Sequence, residues 1–289
     1  MIFPVRAAAL LLATLVVASP VARALPLSLR AGAETTWAEN IARSSAPSNW
    51  IDTLRQEAHV GASRLMPLDT GVSLVGDLEA SWVAVPRFTQ NNTLTLRATV
   101  ALRKKFGLGP LAPVLTAEAG LARVESRLRG EDAWVASGAV RVTKRFDDSW
   151  RAALTADWEQ HYAAGAPFDT RHHRLLGSLA WDVTDRWQLS AGAGALWGDF
   201  VASAGPAVWA RALAGQITPA IGAYYPTLSW AVTDSYGRGW VSYRAKGRSD
   251  FWWLELAPSL GRNTSLPLRY AHSVTGNFVG VKYQQDLWS

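Results

Sequence analysis

The feature of this 289-residue chain that most limits its fold is an alternation of apolar and polar residues along nearly the whole sequence. Between Thr93 and Arg103 every second residue is apolar, and the residues between them are mostly threonine and arginine. Successive side chains of a strand point to opposite faces, so this period of two predicts strands with one apolar and one polar face. The same pattern recurs at Trp150–His161 and Trp187–Trp197.

One long apolar run is present, at the start of the chain. Arg6 precedes the apolar segment Ala7–Ser19, and Ala22-Arg23-Ala24 supplies the small residues of a cleavage site. We therefore predict a signal peptide at residues 1–24 and a mature chain over residues 25–289. The run is too short for a membrane-spanning helix, so any membrane insertion of the mature chain must use strands.

The composition removes several classes of protein. The chain has no cysteine, which excludes disulfide scaffolds, thiol nucleophiles and cysteine metal sites. Its 29 basic residues exceed its 23 acidic ones only slightly, and Arg6 and Arg23 leave with the signal peptide. This excess predicts no nucleic-acid partner. Neither a metal site nor a cofactor motif is predicted.

The alternating segments number about twelve, and their connections alternate in length. We expect short turns at Pro67–Thr70, Gly107–Pro110, Asp147–Ser149, Thr184–Arg186 and Gly247–Asp250. We expect longer loops at Asn40–Ile51, Arg87–Asn92, Leu128–Asp132, Ala164–Asp169, about 202–239, and Arg262–Leu266. Trp240–Ala245 and Trp252–Leu256 count as two strands, and Leu268–Tyr283 counts as one with a bulge near Gly276. Short turns at one end and long loops at the other are typical of an outer-membrane barrel.

The 15 tryptophans lie preferentially at strand ends. Trp187 and Trp197 share an apolar face ten residues apart, which a tilted strand projects to about 24 Å, the height of a membrane's apolar band. A soluble β-sandwich or lipocalin-like barrel is the alternative, but its core aromatics have no reason to prefer strand ends. The predicted membrane-interface aromatics are Trp150, Trp158, Trp181, Trp187 and Trp197.

Together these segments resemble the bacterial outer-membrane β-barrel superfamily. The resemblance implies an all-β fold, a single antiparallel up-and-down transmembrane β-barrel of about 12 strands, in the outer membrane of a Gram-negative bacterium. It also implies contact with outer-membrane lipid, and recognition of the C-terminal strand by the outer-membrane assembly machinery. Such barrels commonly end in an aromatic residue; here Trp288 is penultimate.

If the apolar face meets lipid, the polar face lines the lumen. Arg145 then stands opposite Arg151, which is unfavourable unless an anion relieves the repulsion. Glu159 is expected to face Arg174, and His161 to face His172, a cluster that suits a polar patch, a metal or acid-base chemistry. The candidate lumen-lining residues are Arg97, Arg103, Arg141, Arg145, Arg151, Glu118, Asp157, Glu159, His161, His172 and Arg174.

Two further segments bear on function. The apolar residues of the 202–239 loop predict a lid or an inward-folded constriction, and Gly192 and Gly194 leave lumen space that such a loop or long arginines would occupy. His272 and Ser273 are similar to the pair used by outer-membrane phospholipases, but the compact motif of those enzymes is absent. We predict a narrow channel for small polar or anionic solutes and no enzyme. A structural, adhesion or partner-docking barrel is the alternative, followed by a lipid-active enzyme.

Overall fold

The computed structural model describes residues 27–128, 130–213, 229–261, 264–277 and 281–289. The predicted signal peptide lies outside these residues. The described strands are β1 (Leu27–Ala38), β2 (Thr53–Asp69), β3 (Val72–Ala84), β4 (Thr93–Lys105), β5 (Val114–Ser126), β6 (Ala133–Arg145), β7 (Trp150–Ala163), β8 (Arg171–Thr184), β9 (Trp187–Ala204), β10 (Trp230–Val232), β11 (Val241–Gly261), β12 (Thr264–Ser265), β13 (Leu268–Asn277) and β14 (Lys282–Trp288). Short helical turns lie at Pro47–Asn49, Thr89–Asn91, Ala166–Phe168, Pro206–Val208 and Trp209–Leu213.

Twelve of these strands form a closed antiparallel barrel. Each strand from β1 to β9 pairs with the next, β9 pairs with β11, β11 with β13, β13 with β14, and β14 with β1. The short strands β10 and β12 both pair with β11. Each of the twelve strands therefore has a neighbouring strand on both sides, which confirms the predicted all-β barrel. Among the described residues no helix is long and apolar enough to cross a membrane.

The two faces of the wall follow the alternation. Leucine, valine and tryptophan side chains are exposed on the outside, as shown by Leu96 and Leu154, each 54% exposed. The opposite face carries the charged and small residues that line the interior. A barrel that exposes its apolar face and encloses its polar face suits a lipid surrounding rather than water.

The last third of the chain folds differently from the expectation. Residues 241–261 form one strand, β11, so the predicted turn at Gly247–Asp250 is wrong. Conversely, β13 and β14 pair antiparallel, so the chain reverses direction between residues 277 and 282, and the predicted single bulged strand is also wrong. The two errors cancel in the count of twelve. They also place the end of β11 beside Trp187, at the short-turn end rather than with the long loops.

The main apolar cluster of the described residues lies where the end of β9 pairs with the start of β11, near Ala204 and Val241. Trp209 packs against Trp230 and Tyr243, with ring centroids 5.3 and 5.7 Å apart. The buried members are Ala202, Ala204, Trp209, Val241, Tyr243, Val281 and Tyr283. This cluster buries part of the apolar surface of the 202–239 segment, while residues 214–228 lie outside the described residues.

Candidate channel lumen

A hairpin turn at residues 233–240 lies across the long-loop mouth of the barrel. The Tyr236 hydroxyl donates to the carbonyl oxygen of Ile41 over 3.1 Å, and its ring meets Phe88 edge-on at 5.2 Å. The side-chain amide of Gln90 donates to the carbonyl oxygens of Asp234 and Ser235, at 2.6 and 2.9 Å. These contacts join the hairpin to two neighbouring loops. We call residues 233–240 the cap.

Burial explains the chemistry of Tyr236 within the cap. Its phenol is enclosed by neighbouring loops, and this loss of solvation raises its pKa to about 12. The hydroxyl is protonated at neutral pH and donates its hydrogen bond to the carbonyl oxygen of Ile41.

Beneath the cap lies a cavity of about 750 Å³, which we call the vestibule. Its wall is mixed. Val83, Val124, Phe168, Val201 and Leu287 supply apolar surface, while three arginines and two histidines supply charge and polarity. The charged and titratable lining residues are Glu34, Arg43, Arg55, Glu131, His161, His172, Asp199 and Arg269.

The histidine cluster lies on β7 and β8 at the vestibule wall, in a register that differs from the expected one by two residues. Glu159 lies opposite His172, and Asp157 opposite Arg174. Glu159 Oε1 contacts His161 Nε2 at 2.6 Å and His172 Nε2 at 3.8 Å. The expected pairings of Glu159 with Arg174 and of His161 with His172 are therefore wrong. The helical turn Ala166–Phe168 shapes the connecting loop, which alternation alone does not specify.

The charged residues around this histidine cluster form ion pairs. Arg174 contacts Asp157 at 2.9 Å, and Arg97 reaches Glu159 at 4.0 Å. The described residues contain no group of three or more His, Asp or Glu side chains arranged to hold a metal ion. The geometry is that of an ion-paired patch.

The half of the lumen next to the short turns differs from this ion-paired patch, because arginines on neighbouring strands line its wall. Arg103, Thr116, Arg141 and Thr155 are neighbours in register on β4 to β7. Arg141 Nε donates to Thr155 Oγ1 over 3.1 Å. Arg145 and Arg151 stand directly opposite each other, as predicted. We call Arg103, Arg141, Arg145 and Arg151 the arginine wall.

No carboxylate of the described residues forms an ion pair with the arginine wall. Arg145 donates instead to the carbonyl oxygen of Asp148, at 2.9 Å. Glu118 lies on β5 opposite Ala101 and Ala139, and forms no ion pair with these arginines. Asp157, the other acid expected to relieve them, is engaged by Arg174. The wall therefore keeps a positive charge at the short-turn end.

An aromatic pair on β11 was not anticipated from the sequence. Phe251 and Trp253 point inward, and their rings lie against Gly194 and Gly192; a Cβ at Gly192 would lie 2.5 Å from Trp253 Nε1. These aromatic rings, and not a loop or arginines, fill the space at the two glycines. The guanidinium of Arg269 stacks 4.5 Å from the centre of the Trp253 ring. Alternation did not indicate which of these rings point inward, because residues 251–253 are all aromatic. The inward glycines on β9 were the available clue, since they leave space for a large side chain on the neighbouring strand.

The predicted interface tryptophans lie at both ends of the outer face. Trp150 and Trp181 stack at 5.2 Å near the short turns, beside the exposed Trp187. At the other end, Trp158 and Trp197 each contact an arginine, Arg171 and Arg248. Their assignment to the two membrane interfaces stays a prediction.

His272 and Ser273 do not converge. His272 Nδ1 contacts Asp286 at 2.7 Å, whereas Ser273, the next residue of the strand, points to the opposite face. A serine nucleophile at this position would have no histidine beside it.

Comparison with known proteins supports the architecture. An outer-membrane channel from Pseudomonas putida F1 matches with a TM-score of 0.50 and 11% identity, over 92% of this chain and 95% of that one. The chain shares the β-barrel fold of this channel. The channel DcaP of Acinetobacter baumannii matches with a TM-score of 0.41 and 10% identity, over 91% and 97% of the chains. The KdgM porin bound to disordered oligogalacturonate gives 0.36 and 7%, over 89% and 99%.

The match with the Pseudomonas putida channel shows a shared fold. At 11% identity it does not show a shared function, so the function of this barrel is argued from its own residues. No family model matches the chain, and no curated protein sequence matches it.

Proposed function

We propose that this outer-membrane barrel is a narrow channel that prefers small anionic solutes. The observation that carries the proposal is the arginine wall, which lies on the inner face of β4, β6 and β7 without a carboxylate partner among the described residues. Like charges held opposite each other destabilise a sheet. A permeating anion supplies the missing counter-charge, since guanidinium groups bind carboxylates and phosphates through charge-assisted hydrogen bonds.

The experiment is a reversal-potential measurement in planar bilayers under a salt gradient. We expect the wild type to prefer chloride over potassium, and Arg103→Gln with Arg141→Gln and Arg151→Gln to lose that preference, because fixed charge in a narrow passage sets the local ion concentration. The matched control is Asp157→Asn with Arg174→Gln, which removes a lumen ion pair without changing the net charge. The control should keep the anion preference.

Two results would contradict the proposal. A cation-selective wild type would remove the anion channel altogether. A folded but non-conducting wild type would favour the structural or partner-docking barrel, in which the arginines serve another purpose.

A further inference from the structure

The vestibule combines apolar surface with two arginines that form no ion pair with the described acids. Arg43 and Arg269 both line it, and Arg43 is close enough to Glu131 to lower the pKa of that carboxyl. Arg55, the third arginine, is engaged by Glu57 at 2.7 Å. The vestibule therefore offers two guanidinium groups to an anion.

The acids of the vestibule are already occupied by neighbouring donors. Glu34 accepts from the Thr36 hydroxyl at 2.9 Å, and Glu131 accepts from the Ser126 hydroxyl at 2.5 Å. Asp199 accepts from the backbone N–H of Arg171 at 2.9 Å. These bonds fix the positions of the three carboxylates. Glu131 attracts Arg43, so Arg269 is the main guanidinium that the vestibule offers to a soluble anion.

Arg269 is held in a defined orientation by Trp253. Its guanidinium stacks 4.5 Å from the indole centre, although Glu255 is its direct partner across the strand pair. Stacking leaves the N–H edge of a guanidinium free to bind a carboxylate with two parallel hydrogen bonds. Gly192 makes this arrangement possible, because any side chain there would displace the indole.

Part of the remaining wall is apolar, and this surface favours one class of anion over another. Val83, Val124, Val201, Phe168 and Leu287 face the same space as the arginines. A volume of about 750 Å³ is large for a simple hydrated ion and falls in the usual range for pockets that enclose organic ligands. A hydrophilic anion would leave this apolar surface wet, whereas an anion with an apolar body would cover it.

We infer that the vestibule is a binding site for small organic carboxylates with an apolar body, with Arg269 holding the carboxylate and Arg43 adding positive charge to the same cavity. This inference rests on the proposed channel function and names its class of solute. The arginine wall then supplies general anion preference, and the vestibule supplies selection among anions.

The test is calorimetric titration of the refolded barrel with benzoate, cyclohexanecarboxylate, acetate and the neutral ester methyl benzoate. We expect both ring carboxylates to bind at least about tenfold more tightly than acetate, because they bury several more apolar carbon atoms. Methyl benzoate should bind more weakly than benzoate, since it lacks the charge that the arginines recognise.

Variants locate the site. Arg269→Gln should weaken the binding of both ring carboxylates, and Trp253→Leu should do so by releasing the guanidinium while keeping an apolar side chain. Trp197→Leu is the matched control, because this tryptophan contacts Arg248 on the outer face. It should leave binding unchanged, which also tests for ligand partitioned into detergent.

Several outcomes would overturn the inference. Equal binding of acetate and benzoate would indicate a purely electrostatic site, and equal binding of benzoate and methyl benzoate would indicate an apolar pocket without anion recognition. No binding in a barrel whose reversal potential is still anion-selective would refute the vestibule site and leave the proposed channel intact. A cation-selective barrel would refute the channel proposal itself.

Discussion

At the scale of single residues, the side chain of Leu154 shows how much the orientation of one position matters. It lies four residues from Trp150 and four from Trp158 on the outer face of β7, and it is 54% exposed. An arginine there would be forced into the apolar band. We expect Leu154→Arg to lower the free energy of unfolding by about 2–4 kcal/mol, measured by denaturant titration in lipid vesicles.

The control for this substitution is Ser63→Arg on β2. Ser63 lies opposite Asp77 on the inner face, so the introduced guanidinium enters the lumen beside the Arg30–Asp77 ion pair rather than lipid. This variant should lose less stability than Leu154→Arg. Equal losses would contradict the assigned faces of the wall.

Glu131 gives a prediction for pH. It lies in the loop after β5, and burial raises its pKa above the usual value near 4.5, against the opposing effects of the Ser126 hydroxyl, His161 and Arg43. A carboxyl with a raised pKa favours the folded state when it is protonated. That stabilisation is complete below the usual value and is lost as the pH rises through the raised one.

We therefore expect Glu131→Gln, which keeps an acceptor for Ser126, to match the wild type at about pH 4 and to be more stable than it at about pH 7.5. Thermal unfolding followed by heat-modified gel mobility would measure the difference. Parallel pH profiles for the two proteins would show that Glu131 carries no such effect.

At the scale of elements, the cap is the part whose removal should change conduction most. Val232 and Val241 are directly paired, so residues 233–240 can be replaced by the two-residue turn Asn-Gly, which suits a tight hairpin. This variant loses the contacts to Ile41, Phe88 and Gln90. We expect its single-channel conductance to rise while its anion preference stays, because the arginine wall is untouched.

A smaller change provides the comparison for the cap. Tyr236→Phe removes only the hydroxyl that donates to the Ile41 carbonyl oxygen and keeps the ring contact with Phe88. Its conductance should lie closer to that of the wild type. An unchanged conductance in the Asn-Gly variant would place the barrier in the lumen rather than at the cap.

The strands themselves were predictable where one face is uniformly apolar. Alternation alone predicts β4, β7 and most of β9. It fails on β11 for two reasons: Gly247-Arg248-Ser249-Asp250 has the composition of a turn, and residues 251–253 are aromatic on both faces. In the structure the polar run lies within the β9–β11 pair, where Arg248 contacts Trp197 and Asp250.

The partner of each charged residue was harder to predict than the face of the barrel wall on which it lies. A slip of two residues between β7 and β8 leaves every side chain on its own face but changes its partner. The sequence therefore predicts which residues of this pair face inward, and it does not specify that Asp157, rather than Glu159, meets Arg174. The opposed pair Arg145 and Arg151 was predictable because the hairpin at Asp147–Ser149 is short and fixes the register of β6 and β7.

At the scale of the whole molecule, neighbouring strands of the barrel are paired over very different lengths. β9 and β11 pair over a long ladder, from Ala204 opposite Val241 to Trp187 opposite Pro258. Among the described residues β14 pairs with β1 only at Trp37 and Ala38, extended by the backbone bond from Glu39 to Asp286 at 3.0 Å. We expect the barrel to open first at this seam, because the fewest backbone hydrogen bonds must break there.

A disulfide across the seam tests this expectation cleanly, because the chain has no cysteine of its own. Ala38 and Leu287 are directly opposed, so Ala38→Cys with Leu287→Cys joins β1 to β14. The control joins Ala153→Cys to Ser178→Cys, opposed within the β7–β8 ladder. A disulfide acts largely on the unfolded chain, and that effect changes the unfolding rate little. If the seam opens first, only the seam disulfide should slow unfolding in detergent, and reduction should restore the wild-type rate. Equal unfolding rates for the two oxidised variants would show that the barrel opens elsewhere.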